Sequence, residues 1–224
     1  MVVIRWALLV IIVALAGTPT PSRSQELSGI RPLHASLQEA WRELPADTQP
    51  LLESSQIEAF LAAVEGTPPN WAVVYGGGHH DPGHDDRLFA LNRERDAKRM
   101  GSDRFPRLLA FVWQGELSGF DEEEQGFRVA LGPRMIPTAC GVVRFKYEDL
   151  PGRLVAVARD RTKAIAHRLA DGNPVEIDVL LAGRLIPEES VIYDFSHEEE
   201  GRGLIMPVVR IEAVEYALRD SVLP

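Results

Sequence analysis

The residues best suited to metal chemistry lie in the stretch Gly76–Asp86, which is rich in glycine, histidine and aspartate. Zinc and related ions accept imidazole and carboxylate ligands, and this stretch offers both: His79, His80, Asp81, His84, Asp85 and Asp86. Pro82 and Gly83 stand between His80 and His84, so the two histidines do not make a helical zinc motif. Two interpretations stay open, a solvated polar loop or a zinc site with four candidate ligands: His79, His80, His84 and Asp85.

No other set of residues has the spacing of a catalytic motif. The sequence has no Gly-x-Ser-x-Gly and no phosphate-binding glycine loop after a strand. Cys140 is the one cysteine, so no internal disulfide can form. It is either a small buried apolar residue or a reactive thiol, which would need a base nearby. His34 and His167 are predicted to be ordinary histidines, and His197–Glu200 a solvated acidic loop.

Residues 1–24 are predicted to be a secretory signal peptide. Arg5 precedes the uncharged apolar run Trp6–Gly17, and a run of about 12 residues is typical of a signal core. A membrane anchor, the alternative, would need roughly 18 or more apolar residues in a row. Ala14–Ala16 and Ser22–Ser24 both fit a cleavage site, and the second would leave a periplasmic or secreted protein that begins at Gln25.

The charge balance argues against nucleic acid and anionic lipid as partners. The formal net charge is -9, and the loss of Arg5 and Arg23 with the signal would make it -11. No stripe of lysine or arginine offsets this charge, so the phosphate backbone would be repelled. A net charge of this size favours solubility.

Helices are predicted first along the mature chain. Capping boxes at Ser36–Glu39 and Ser55–Glu58 open two amphipathic helices. Trp71–Tyr75 is predicted to be a short strand, and Asp86–Arg99 a polar helix. The alternating charges of Arg93–Arg99 predict a solvated, ion-paired surface.

Strands dominate after Phe105. Alternating apolar residues predict five of them, with Arg153–Val157 extending or accompanying the third: Leu108–Leu117, Gly126–Leu131, Val142–Glu148, Val175–Ile186 and Leu204–Leu218. A short helix, Thr162–Ala170, is predicted between the third and fourth strands.

This order resembles the OB-fold, a five-stranded Greek-key barrel with its helix between the third and fourth strands. Gly172–Leu185 is similar to the fourth strand of OB domains of the single-stranded-DNA-binding type, and Val208–Val214 resembles their closing strand. The likeness covers about half the chain. It implies a binding face on the first three strands, with aromatic rings that could stack on bases or sugars: Phe111, Trp113, Phe145 and Tyr147. The residue types themselves favour the other interpretation, that these rings form the core.

The sequence as a whole predicts a mainly β protein with α-helices (α+β), in which a helical segment precedes an OB-like five-stranded barrel. The predicted divisions are a signal peptide (1–24), a helical and loop region (25–104) and the barrel domain (105–224). We expect an exported binding or adaptor protein rather than an enzyme, with an envelope protein or a small ligand as partner. No cofactor is predicted unless the loop that ends at Asp86 binds zinc, in which case the protein is a metal-binding protein or a metal-dependent enzyme.

Overall fold

The computed structural model describes residues 27–76, 81–100, 106–186, 189, 191–195 and 202–219. The predicted signal peptide, the candidate ligands His79 and His80, and the His197–Glu200 run lie outside the described residues. None of the helices in the described part of the chain is long and apolar enough to cross a membrane.

The described residues form a mainly β structure with α-helices, which confirms the predicted fold class. The strands are β1 (Ile30–His34), β2 (Gln49–Pro50), β3 (Leu109–Asp121), β4 (Gly126–Gly132), β5 (Ile136–Thr138), β6 (Gly141–Val143), β7 (Lys146–Glu148), β8 (Val155–Val157), β9 (Val175–Leu185), β10 (Val191–Phe195) and β11 (Gly203–Leu218). The helices are α1 (Leu37–Trp41), α2 (Ser54–Glu65), α3 (Trp71–Tyr75), α4 (His84–Arg99) and α5 (Thr162–Ala170), with a 3-10 turn over Arg159–Arg161.

Six of the strands close into a mixed barrel, in the order β1-β8-β4-β3-β9-β11 and back to β1. The pairs from β8 round to β11 are antiparallel, whereas β1 runs parallel to both of its neighbours. Helix α5 lies between β8 and β9 in the chain, as predicted. The barrel is compatible with an OB-like architecture and carries additional strands.

The ring has six strands where five were predicted, because β1 comes from the region assigned to helices and loops. Ile30 pairs with Val155 of β8, and Leu33 pairs with Tyr216 of β11. Pro32 and the charged Arg31 gave this segment no strand-like pattern, so only its pairing partners make it a strand. Strand pairing therefore crosses the boundary predicted after residue 104.

The predicted third strand is divided in the structure. Strands β6 and β7 lie parallel against β11, while β8 takes the position in the ring beside β4. The break falls at Asp149, which has a left-handed φ of 59°, and at the Pro151-Gly152 turn that follows. This backbone turns the chain away from β11 before β8 begins.

Apolar side chains are buried on both faces of the central strands. Phe111, Trp113 and Leu117 of β3 belong to the main core, whereas Ala110 and Val112 lie on the opposite face of the same strand. That opposite face is covered by the apolar residues of α1 and the turn after it, which include Ala40 and Leu44. Helix α1 thus packs on the outer surface of β3, β9 and β11, next to β1.

The strand predicted over Trp71–Tyr75 is wrong, because these residues form α3. The side-chain oxygen of Asn70 accepts a hydrogen bond from the Val73 amide at 3.3 Å, which caps the helix. Trp71, Val74 and Tyr75 are buried at helical spacing, and the Trp71 indole donates to the Cys140 carbonyl at 2.7 Å. Cap and burial together outweigh the strand preference of the aromatic and β-branched residues.

The Arg93–Arg99 segment is only partly the solvated surface that was predicted. Arg95 and Arg99 are buried against Glu65, and the Arg99 Nε donates to Glu65 Oε1 at 2.5 Å. The Arg99 Nη1 also donates to the Val191 carbonyl of β10 at 2.7 Å. We call these three charged side chains, together with the buried Tyr193 of β10, the Glu65 cluster. The cluster connects α4 to α2 and to β10.

Cys140 is buried, as the first of its two interpretations predicted. Burial raises the pKa of its thiol, and the nearby Glu58 carboxylate raises it further. A raised pKa leaves less of the reactive thiolate at neutral pH.

Candidate functional site

A polar cleft of about 470 Å³ lies where β1 closes the barrel, and we call it the seam cleft. Residues of β1, α1, β8, the 3-10 turn and β11 line it: Arg31, Pro32, Leu33, His34, Ala35, Glu39, Glu43, Val157, Ala158, Arg159, Asp160, Arg161 and Glu215. The cleft exists because β1 stands between β8 and β11 and brings their ends together.

Glu215 is the buried charge at the base of the seam cleft. Its side chain is 1% exposed, on the face of β11 opposite to the core residues Val214 and Tyr216. The Arg31 guanidinium donates to Glu215 Oε1 from Nε at 2.9 Å and through a second, shorter contact from Nη2. The His34 Nε2 lies 3.3 Å from Glu215 Oε2. Two side chains of β1 thus compensate one buried carboxylate of β11, which is the condition under which a buried charge is tolerated.

This arrangement orients the His34 ring. With Nε2 beside the carboxylate, Nδ1 makes no hydrogen bond to any residue in the described ranges. An imidazole held by a carboxylate can exchange a hydrogen bond or a proton with a bound molecule through its other nitrogen. The ionisable groups that line the cleft are carboxylates, guanidinium groups and this one imidazole.

Two arginines follow β8 on the rim of the seam cleft. Arg159 has a left-handed φ of 49°, a conformation that costs a side-chain-bearing residue roughly 1–2 kcal/mol. The Thr162 hydroxyl donates to the Arg159 carbonyl at 2.7 Å and helps to hold this turn. Neither Arg159 nor Arg161 forms an ion pair with any residue that the structure describes. A left-handed backbone at a residue with a side chain, as at Arg159, is typical of functional sites.

The four aromatic residues of the predicted binding face meet inside the barrel. The rings of Phe111 and Phe145 stack with centroids 4.3 Å apart, and Trp113 meets Tyr147 edge-on at 5.0 Å. Phe111, Trp113 and Phe145 are buried, and Tyr147 is partly buried. They act as core residues here, and a stacking role stays a prediction that requires a ligand to enter the barrel.

His84 and Asp85 are the two candidate zinc ligands within the described residues. The His84 Nδ1 lies 2.8 Å from the Asp81 carbonyl, and its Nε2 lies 2.9 Å from Asp85 Oδ1. Asp81 itself pairs with Arg87 at 2.6 Å. No group of three or more histidine, cysteine or acidic residues suited to a metal gathers among the described residues. The complete predicted set includes His79 and His80, so zinc binding stays a prediction.

Sequence patterns gave only one sign of the residues that form the seam cleft. Arg31 and Glu215 are 184 positions apart, and His34 was predicted to be ordinary. One signal was present in the last strand, where Glu215 interrupts the apolar run from Val214 to Leu218. A charge between residues that are buried in a sheet calls for a partner.

In comparisons with known proteins, no family model, no curated protein and no solved structure matches this chain. The geometry of the seam cleft and the topology of the barrel therefore carry the functional argument.

Proposed function

We propose that the protein is an exported binding protein whose OB-like barrel carries a small-ligand site in the seam cleft. The barrel order supports the OB assignment, because β3, β4, β8, β9 and β11 follow one another as the five OB strands do, with α5 between the third and fourth. In this assignment β1 is an added strand between the third and fifth. OB barrels bind varied ligands, so the site itself must supply the function.

The observation that carries the proposal is the pre-oriented polar base of the seam cleft. His34 and Arg31 are already fixed by the buried Glu215 carboxylate, so a ligand would not have to order them. The volume of about 470 Å³ falls within the range of about 300–1,000 Å³ that is usual for small-molecule sites.

Export is the second part of the proposal and depends on residues 1–24. Sequencing of the N-terminus of the protein isolated from the cell envelope tests it. A start at Gln25 is expected, whereas an intact Met1 would mean a retained anchor. The partners that we propose are a small ligand or an envelope protein, and the net charge of -9 disfavours nucleic acid.

A thermal-unfolding screen of the purified protein against small polar compounds tests the binding site. A ligand at 100 times its Kd adds about 2.7 kcal/mol of stability, which for a chain of this size raises the midpoint by ~5–10 °C. His34→Ala should weaken a hit about tenfold, whereas the control His167→Ala, on the exposed face of α5, should leave its affinity unchanged. If the compounds found in the screen bind His34→Ala as tightly as the unaltered protein, the seam cleft is not the binding site.

Zinc binding near His84 is the second candidate function. Metal-binding histidines usually donate their other ring N–H to a carbonyl or carboxylate, and His84 Nδ1 has this relation to the Asp81 carbonyl, with the Asp85 carboxylate beside Nε2. Metal analysis after dialysis against zinc tests the candidate. One equivalent of zinc that is lost in His84→Ala and kept in His167→Ala is expected, and no retained zinc in the unaltered protein would exclude it.

A further inference from the structure

The seam cleft holds charges of both signs, and some are already paired within the protein. Arg31 and Glu215 neutralise each other at its base. Glu39 accepts a hydrogen bond from the Ala35 amide at 2.9 Å, and its own amide donates to the Ser36 hydroxyl that caps α1. The charges of Arg31 and Glu215 are therefore already compensated within the protein.

Four other charged side chains that line the cleft have no ion-pair partner among the described residues: Glu43, Arg159, Asp160 and Arg161. Two are cationic and two are anionic. Glu43 follows α1, whereas the other three belong to the turn after β8. Opposite charges that line one cleft on separate segments, yet do not meet, leave room for a molecule between them.

We propose that the seam cleft binds a zwitterion, a molecule with one carboxylate and one ammonium group such as a free amino acid or short peptide, between Glu43 and the Arg159–Arg161 turn. This inference rests on the proposed function of the cleft as a small-ligand site. Arginine suits the carboxylate end, because its planar guanidinium can donate two parallel hydrogen bonds to the two carboxylate oxygens. Glu43 suits the ammonium end, and Asp160 can contribute to it.

His34 and Arg159 add to the argument. His34 lines the cleft, and its Nδ1, which has no partner among the described residues, can hydrogen-bond the polar middle of such a ligand, for example a peptide group. Arg159 holds a left-handed backbone without an ion pair of its own in the described ranges. A ligand carboxylate would give the Arg159 guanidinium a partner.

Calorimetric titration with the dipeptide alanyl-alanine and two capped forms tests the inference. The N-acetyl form removes the ammonium charge, and the C-terminal amide removes the carboxylate. We expect the free dipeptide to bind roughly 10- to 100-fold more tightly than either capped form, since each loses a charged hydrogen bond. Glu43→Gln should abolish the preference over the N-acetyl form, and Arg161→Gln the preference over the amide.

Matched controls make the same charge changes outside the cleft, with Glu122→Gln in the β3–β4 turn and Lys163→Gln at the start of α5, both exposed positions. They should leave all three affinities unchanged. Equal binding of the free and capped peptides, or no binding of the free peptide, would overturn the zwitterion inference. The proposed function would survive either result if another compound binds in a His34-dependent way, and it fails only if the His34→Ala screen fails as well.

Discussion

Replacing Glu65 by glutamine tests whether the Glu65 cluster is a buried ionic lock. The Glu65 side chain is 4% exposed and those of Arg95 and Arg99 are 8% and 1% exposed, so all three charges are removed from water. Glu65→Gln keeps the shape of the side chain but removes the negative charge that faces the two arginines of the cluster. The amide oxygen can still accept from Arg99 Nε, but the NH₂ group then faces the Arg95 guanidinium, and both are donors.

The expected loss of stability depends on the hydrogen-bond partners that Arg99 keeps after the substitution. Removal of one member of a buried pair costs about 3–5 kcal/mol. Arg99 keeps the Val191 carbonyl and a contact of 2.8 Å to the half-exposed Asp96, which places the cost near the lower limit, about 3 kcal/mol. At ~2–4 °C for each kcal/mol in a chain of 150–250 residues, the unfolding midpoint should fall by ~6–12 °C.

Circular dichroism during heating measures this fall, with Glu94→Gln as the control. Glu94 lies on the same helix and pairs with Lys98 at 2.5 Å, but both side chains are exposed, so its loss should leave the midpoint almost unchanged. Equal midpoints for Glu65→Gln and Glu94→Gln would refute the reasoning, because they would mean that water screens the cluster.

Three further predictions concern strain, acid stability and the core. Arg159→Gly should raise the unfolding midpoint by ~2–4 °C, because glycine adopts a left-handed backbone without strain, and it should weaken ligand binding. The control is Gln125→Gly in the β3–β4 turn, where φ is 53°. It should also raise the midpoint but leave ligand binding unchanged. Hydrogen bonds from Arg153 lower the pKa of Asp121 from 3.8 to about 2. The ionised Asp121 therefore stabilises the fold fully above pH 3.8, and this stabilisation is lost as the pH falls towards 2. Asp121→Asn should make the unfolding midpoint depend less on pH across that range, and an unchanged pH dependence would contradict the assignment. Phe145→Ala should cost about 3–5 kcal/mol in a denaturant titration, and a cost near zero would mean that the stacked Phe111–Phe145 pair does not act as core.

The strand and helix order of the barrel was predictable because its pattern is local. Alternation along Val175–Leu185 and the long apolar run that ends at Leu218 reflect positions in a buried sheet. Strand β1 could not be predicted in this way, because Arg31, Pro32 and His34 become a strand only through partners 120 residues and more away. Tertiary pairing, which no local pattern records, decides such segments.

The charged residues were misjudged for a related reason. Arg95 and Arg99 lie at helical spacing below Leu88, on the inward face of α4, but a run of alternating charges is typical of a surface. Burial became favourable only because Glu65, on another helix, supplied the compensating charge. The same holds for Glu215 with Arg31 and His34, so both clusters depend on contacts between distant parts of the chain.

The position of β1 between β8 and β11 also determines when the barrel can close during synthesis of the chain. A ribosome makes β1 first, yet its two neighbours, β8 and β11, come about 120 and 180 residues later. The ring must stay open until the last strand has been synthesised, and until then Arg31 and His34 have no Glu215 beside them. A chain that stops short of β11 can form α2 and the β3–β4 hairpin but has no seam cleft, so any ligand of this cleft binds only the finished protein.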